Sequence, residues 1–213
     1  MTRKKVAPVL PARAHPTPRG GEREGALRSG LPLLAVGEGD PWLRVASRVR
    51  SVADFPAPGS VYRDITPLLA DPVALHMVLD ALSHRFIGER IDVVVGVESR
   101  GFIFGGAMAA RLNAGFVPVR RPGRLPASTD RVSFSQEYGE LELEMHRDAL
   151  EPGSSVLVVD DLLGTGATAA AACELVERQG ARVAGVAVVL ELTSLGGRER
   201  LKNRPVVSVL RFD

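Results

Sequence analysis

The run Ser155-Val156-Leu157-Val158-Val159-Asp160-Asp161-Leu162-Leu163-Gly164-Thr165-Gly166-Ala167-Thr168 passes from an apolar strand through two carboxylates and a glycine loop into an alanine-rich helix. Val156 to Val159 is a short β-branched run with no polar face, the pattern of a parallel strand covered on both sides. In open α/β sheets ligands bind where strands give way to loops, and a helix starting near Ala167 puts that edge here. Gly164 and Gly166 permit close backbone approach and positive φ, Thr165 and Thr168 add hydroxyl donors, and the first amides of the helix have no internal partners. The loop is therefore built to take an anion. Carboxylates beside a phosphate repel it unless they serve another group, and Asp160 and Asp161 suit sugar hydroxyls. Charge-assisted bonds of that kind contribute roughly 1.5–3 kcal/mol each when desolvated. The pattern describes a sugar phosphate, with the phosphate in the loop and the hydroxyls on the aspartates. Adjacent strand residues face opposite ways, so both can meet one ligand only if the strand ends between them. No Lys follows the glycines, as a nucleoside-triphosphate loop needs, and there is no Gly-x-Gly-x-x-Gly fingerprint.

Working outward, the 213 residues are 45% hydrophobic and 24% charged, which suits one globular domain with a sizeable core. No apolar run approaches the ~20 residues that span a bilayer. The single cysteine, Cys173, excludes an internal disulfide framework and a cysteine metal cluster, and a cytoplasmic setting is expected. It shares a helical stripe with Ala169 and Val176 and reads as core. The high pI is confined to one end. Residues 1–40 carry seven Lys or Arg against four acids, leaving 20 basic and 21 acidic residues in the body. A body without basic bias argues against a nucleic-acid partner. Residues 1–41 are rich in Pro, Gly and Arg and read as a disordered extension, either a true tail or upstream sequence from a misassigned start, and dispensable for catalysis. Residues 42–213 form the single folded domain.

Within that domain, Trp42 to Val52 has the spacing of a short amphipathic helix. Val61 to Pro67 reads as edge strand or loop. Asp71-Pro72 is an N-cap followed by Pro at the first helical position, and Leu75, Val78, Leu79, Leu82 and Phe86 keep one apolar face. Ile91 to Val97 is a buried strand that delivers Glu98-Ser99-Arg100-Gly101 to the same sheet edge, before a helix from about Phe102 to Leu112. A second anion site is expected there, and an Arg fork suits a polyanion. Phe116 to Val119 is a third strand, followed by Arg120-Arg121-Pro122-Gly123-Arg124-Leu125-Pro126. Val132 to Ser135 and Leu141 to Met145 both alternate, with Glu137-Tyr138-Gly139-Glu140 between them, which predicts a β-hairpin. Val183 to Leu190 and Val206 to Leu210 supply the remaining strands. The fold class is α/β: a mostly parallel twisted sheet flanked by helices, with a hairpin excursion at about 121–148.

In this order the motifs resemble those of type I phosphoribosyltransferases, and the similarity runs from about Val45 to Phe212. Val158 to Thr168 resembles the family's 5-phosphoribosyl 1-pyrophosphate (PRPP) signature, and its Asp-Asp-Leu-Leu form is most like that of the adenine phosphoribosyltransferases. Gly164 stands where Ala is common, and Ala167 where a second Gly is common; Ala167 would resist positive φ. Arg121 and Arg124 stand where Lys is usual, and Pro122 is unusual.

The resemblance implies transfer from PRPP to adenine, giving AMP and pyrophosphate in purine salvage, by inverting displacement through an oxocarbenium-like transition state. It assigns the 5′-phosphate and ribose to Asp160 through Thr168, that is Asp160, Asp161, Leu162, Leu163, Gly164, Thr165, Gly166, Ala167 and Thr168. Pyrophosphate falls to Ser99, Arg100, Gly101, Arg121 and Arg124, and the purine to Val61, Tyr62 and Arg63. Glu137 and Tyr138 match a catalytic pair on a mobile lid hairpin, Glu137 serving proton traffic at the purine N7. Mg²⁺ is implied through PRPP and water, with no protein metal cage, as is a homodimer. A transferase for hypoxanthine, guanine or xanthine, and a PRPP-sensing regulator on the same fold, are the alternatives.

Overall fold

A computed structural model describes residues 40–136 and 139–213 of the chain. The disordered extension expected over residues 1–41 therefore lies outside the described residues up to residue 39. Asp40 caps the first helix, α1 (Pro41–Ser47), by accepting the Trp42 N–H at 2.8 Å. That helix stops short of the predicted Val52. Arg50–Ala53 is instead strand β1, paired antiparallel with β2 (Val61–Asp64), Val52 lying opposite Tyr62. A segment this short fits both periods, and the pairing partner ten residues on decides between them. After β2, where edge strand or loop was expected, a further helix α2 (Thr66–Ala70) begins with Pro67 in its first turn.

Helix α3 (Pro72–His84) starts as its sequence predicts. Asp71 accepts the N–H groups of Val73 and Ala74, and it also pairs with Arg44 and Arg48 of the α1 region. Ala74, Val78, Leu79 and Leu82 are buried, and Phe86 packs into the core just past the helix end. The main sheet follows: β3 (Val93–Val97), β4 (Gly115–Val119), β7 (Ser155–Leu163), β8 (Arg182–Leu192) and β9 (Val206–Phe212), all parallel in the order β4-β3-β7-β8-β9. Helices α4 (Gly101–Leu112) and α5 (Ala167–Arg178) connect strands across it, and α6 (Gly197–Arg200) lies between β8 and β9.

The sheet is covered on both faces, as its unalternating strands require. On one side Leu157, Val159, Ala187 and Val189 pack against Val45, Val78, Leu82, Phe104 and Met108 of α1, α3 and α4. On the other, Val156, Val158, Val186 and Val188 meet Ala169, Ala172, Cys173 and Val176 of α5. Each fully buried Val or Leu contributes about 1.5–3 kcal/mol relative to exposure. Gly96 of β3 and Gly105 of α4 form a notch for Phe116 of β4: a Cβ built at either would stand 2.6 Å or 2.9 Å from its ring.

The predicted hairpin is β5 (Thr129–Gln136) and β6 (Gly139–His146), a two-stranded sheet of its own. It stands apart from the main sheet, as expected. At its base Val132, Leu143 and Met145 are buried in the same core as α5, and Arg120 forms a bridge to Glu144. Periodicity along one segment reports which face is apolar, and α5 is what that face meets.

Candidate active site

Strand β7 does not end before the aspartates. It runs through Asp160 and Asp161 to Leu163, with Asp160 opposite Val188 and Leu162 opposite Leu190. The strand therefore does not stop between the carboxylates, the condition the sequence reading set for both to meet one ligand. Because β3 neighbours β7 in the sheet, the loop after β3 lies over the end of β7, and both aspartates meet it. A Cβ at Gly101 would stand 3.0 Å from Asp160 Oδ1 and 2.8 Å from the Val159 carbonyl, so only glycine fits there. Asp160 Oδ1 accepts the Asp161 N–H at 2.8 Å, while Asp161 Oδ2 lies 2.9 Å from Arg100 Nε. That last contact is an ion pair off hydrogen-bond alignment, so Asp161 Oδ2 is buried without a hydrogen bond.

Both carboxylates are under a tenth exposed. Burial, and then the neighbouring Asp161 charge, push the Asp160 carboxyl well above the usual range. Burial also raises Asp161, with Arg100 opposing.

The glycine loop that follows is fixed by backbone contact. Gly166 has φ +78 and is the N-cap of α5, whose first residue is Ala167. The positive φ thus falls on Gly166, and Ala167 sits in ordinary helical geometry, which is why Ala is tolerated there. Gly166 is held by Gly197: a Cβ on Gly166 would meet the Gly197 carbonyl at 2.4 Å, and one on Gly197 would meet the Gly164 carbonyl at 2.1 Å. Gly197 is held in turn by its neighbour Arg198, which pairs through Nε and Nη2 with buried Glu191 at 2.5 Å and 2.7 Å. Gly164, Thr165 and Thr168 are half-buried, as is Leu162, whereas Leu163 is buried. The sequence reading found in Glu191 to Glu199 a resemblance to a family signature but gave Gly197 and Glu191 no role in the site, since nothing local marks a glycine as another loop's neighbour.

On the second side, the Glu98–Ser99 peptide is cis, and Arg100 precedes α4. Besides Asp161, Arg100 reaches Tyr62: its Nη1 donates to the Tyr62 hydroxyl and its guanidinium lies 5.2 Å from the ring centroid. One arginine thus joins the segment predicted to hold a purine to the carboxylates predicted to hold ribose. Tyr62 also meets Phe55 edge-on at 5.2 Å, and Arg63 stacks over Phe212 at 4.8 Å, while Val61 is exposed.

Arg121 and Arg124 are exposed, but their backbone N–H groups are held, Arg121 by Glu98 at 3.1 Å and Arg124 by Glu144 at 2.9 Å. Arg120 donates to Glu98 at 2.8 Å. The sequence places these carboxylates, Glu98 and Glu144, without saying what they hold. Glu137 and Tyr138 lie outside the described residues. The described residues contain no cluster of three or more His, Cys, Asp or Glu side chains able to cage a metal.

Comparison with known proteins accounts for this arrangement. Residues 75–210 match the phosphoribosyl transferase domain family. An adenine phosphoribosyltransferase of Sorangium cellulosum is 61% identical over 171 residues, 78% of this chain and 86% of that protein. The crystal structure of adenine phosphoribosyltransferase from Rhodothermus marinus is 48% identical and superposes with a TM-score of 0.77 over 80% of this chain and 97% of that one. The enzyme of Saccharomyces cerevisiae, solved with adenine and an imino-altritol bisphosphate, is 38% identical with a TM-score of 0.74 over 79% and 97%. The chain belongs to the phosphoribosyltransferase family, among its adenine phosphoribosyltransferases.

Proposed function

We propose that the site transfers the phosphoribosyl group of PRPP to adenine, giving AMP and pyrophosphate in purine salvage. The observation that carries this reading is the meeting at one sheet edge of Asp160, Asp161 and their glycine loop with Arg100, which is itself bonded to Tyr62. A site for one sugar phosphate needs only the first group. The second adds a diphosphate and the third a flat base. The adenine bound to the Saccharomyces cerevisiae enzyme supports that base.

Catalysis in this reading is positioning and charge stabilisation. The Gly164–Thr168 loop and the α5 N-terminus bind the 5′-phosphate. Asp160 and Asp161 accept the ribose hydroxyls, and their charge favours positive character developing on the ring. Ser99, Arg100 and Gly101, with Arg121 and Arg124, hold the departing pyrophosphate. Val61, Tyr62 and Arg63 line the purine pocket. Glu137 and Tyr138, which fall between β5 and β6 in the sequence, are assigned by the resemblance to the proton at purine N7 and to shielding the site from water. The unmet buried oxygen of Asp161 and its neighbour Asp160 are hard donors that fit Mg²⁺ carried in by the oxygens of PRPP and water. Held by these carboxylates, such an ion would supply positive charge against the leaving group.

The chain pairs as a homodimer; exposed Ile103 of α4 and Phe116 of edge strand β4 support an apolar contact there. Among the described residues no helix is long and apolar enough to cross a membrane, which accords with a cytoplasmic enzyme.

Incubating the protein with PRPP, Mg²⁺ and adenine, hypoxanthine, guanine or xanthine in turn tests the reading. AMP is the expected product. Turnover confined to another base, or DNA binding without turnover on any base, would overturn it.

A further inference from the structure

Glu144 is a buried charged side chain, 1% exposed, between Leu143 and Met145 on β6. A buried carboxylate is costly unless its oxygens are matched by donors, and here they are. Oε1 accepts the backbone N–H groups of Arg124 at 2.9 Å and Leu125 at 3.0 Å. Oε2 accepts the Thr129 hydroxyl at 3.2 Å and lies 3.3 Å from Arg131 Nη2. Burial alone would raise its pKa. The N–H groups of Leu125, Arg124 and Gly123, with the Thr129 hydroxyl, outweigh burial and keep the carboxyl below its usual range.

What Glu144 holds is the segment from Arg121 to Leu125, which has no strand or helix to satisfy its own amides. Pro122 has no N–H to offer, and Gly123 turns the chain at φ +77. The other end of the segment hangs from Glu98, through the Arg121 N–H and the Arg120 guanidinium. Both carboxylates grip backbone there, which leaves the Arg121 and Arg124 side chains exposed. Glu144 also bridges Arg120 through its own main chain, at 3.0 Å and 2.7 Å. The strand that bears it is the returning arm of the hairpin.

We propose that Glu144 is a positioning residue that sets Arg121 and Arg124 for the pyrophosphate and couples their placement to the hairpin. The inference rests on the reading of those arginines under Proposed function. Leu143 and Met145 turn to the opposite face, into the core beside α5, while the Glu144 side chain faces these N–H groups, Thr129 and Arg131. A carboxylate suits that place because the Arg124 and Leu125 N–H groups point at it and need an acceptor.

Steady-state kinetics on the full chain test this, with Glu144→Ala, the pair Arg121→Ala and Arg124→Ala, and all three changes together. Glu144→Ala is expected to raise KM for PRPP, and for pyrophosphate in the reverse direction, about tenfold, the loss of hydrogen bonds to a charged group. KM for adenine should stay within about twofold. The arginine pair should show the same pattern, and the triple change should fall well short of the product of the two effects. Glu144→Asp keeps the buried charge but draws it back from the turn, so it should also raise KM for PRPP even if the Ala chain does not fold. A lowered melting temperature with KM for PRPP unchanged in the Asp chain and in any folded Ala chain would make Glu144 a mere strut, and effects that multiply would separate it from the arginines. Either overturns the proposal and leaves the pyrophosphate reading standing. An arginine pair without effect on PRPP would overturn both.

Discussion

The two sides of this site are held in place by different physics. The phosphate side, after β7, is fixed by backbone in contact with backbone: Gly166 and Gly197 leave no room for a methyl group against each other and the Gly164 carbonyl. The opposite side, from Glu98 to Leu125, is fixed by carboxylates gripping arginines and amides. Close packing has one solution and resists displacement. Ion pairs at a partly exposed edge are weak and exchange partners readily. The phosphate loop is thus a fixed seat, and the pyrophosphate side can re-pair when a polyanion arrives. Arg100 shows the point. It rests on Asp161 and Tyr62, and a diphosphate would compete for the same guanidinium.

The sharpest way to break the contrast is Gly197→Ala. Its Cβ would stand 2.1 Å from the Gly164 carbonyl and 2.9 Å from the Gly166 nitrogen, so the loop must move. Overpacking of this kind costs about 1–3 kcal/mol, and a shift near 1 Å at a reacting centre costs about 10²-fold in rate. The expected outcome is a fall in kcat/KM of roughly that size with a lowered melting temperature. Near-normal turnover would mean the seat is softer than its contacts imply.

Arg100→Ala probes the other side. About a tenfold or greater rise in KM for PRPP is expected from losing a charged donor. The Arg100 side chain is about a third exposed, so its pair with Asp161 is screened and the melting temperature should move by no more than about 2–4 °C. Unchanged kinetics would reject the role proposed for Arg100.

The smallest effect is expected from Asp160→Asn in thermal unfolding followed against pH. The folded-state pKa of Asp160 is raised by burial and by Asp161. A raised carboxyl contributes stability that is present below its unfolded pKa and lost as pH rises through the folded value. Asn keeps the acceptor for the Asp161 N–H and removes the titration. The two chains should therefore melt alike in acid, and the variant should become the more stable as pH rises, by a few degrees at most, while its turnover falls. A variant less stable across the whole range would make Asp160 a structural residue.

Much of this was legible in the sequence because the motifs are local. The strand before Asp160, the turn at Gly166, the cap at Asp71 and the loop at Ser99 to Gly101 each lie within a few residues of what they determine. The misreadings fall where a distant partner decides. Arg50–Ala53 is a strand because β2 pairs with it. Asp160 and Asp161 meet the same loop because β3 lies beside β7. Gly197 and Glu144 were invisible as site residues for the same reason: each is defined by a backbone more than ten residues away.

The notch that Gly96 and Gly105 make for Phe116 ties the interior of the sheet to what its edge displays. The Phe116 ring, 38% exposed, occupies space that a methyl group on either glycine would claim. The ring tip can swing outward more cheaply than the backbone can yield, so an alanine at either position is accommodated by sending Phe116 toward solvent. A substitution inside the monomer would then be felt by whatever meets β4 from outside. In the homodimer proposed above, an alanine at 96 or 105 would therefore disturb the contact made by β4 before it disturbed the sheet.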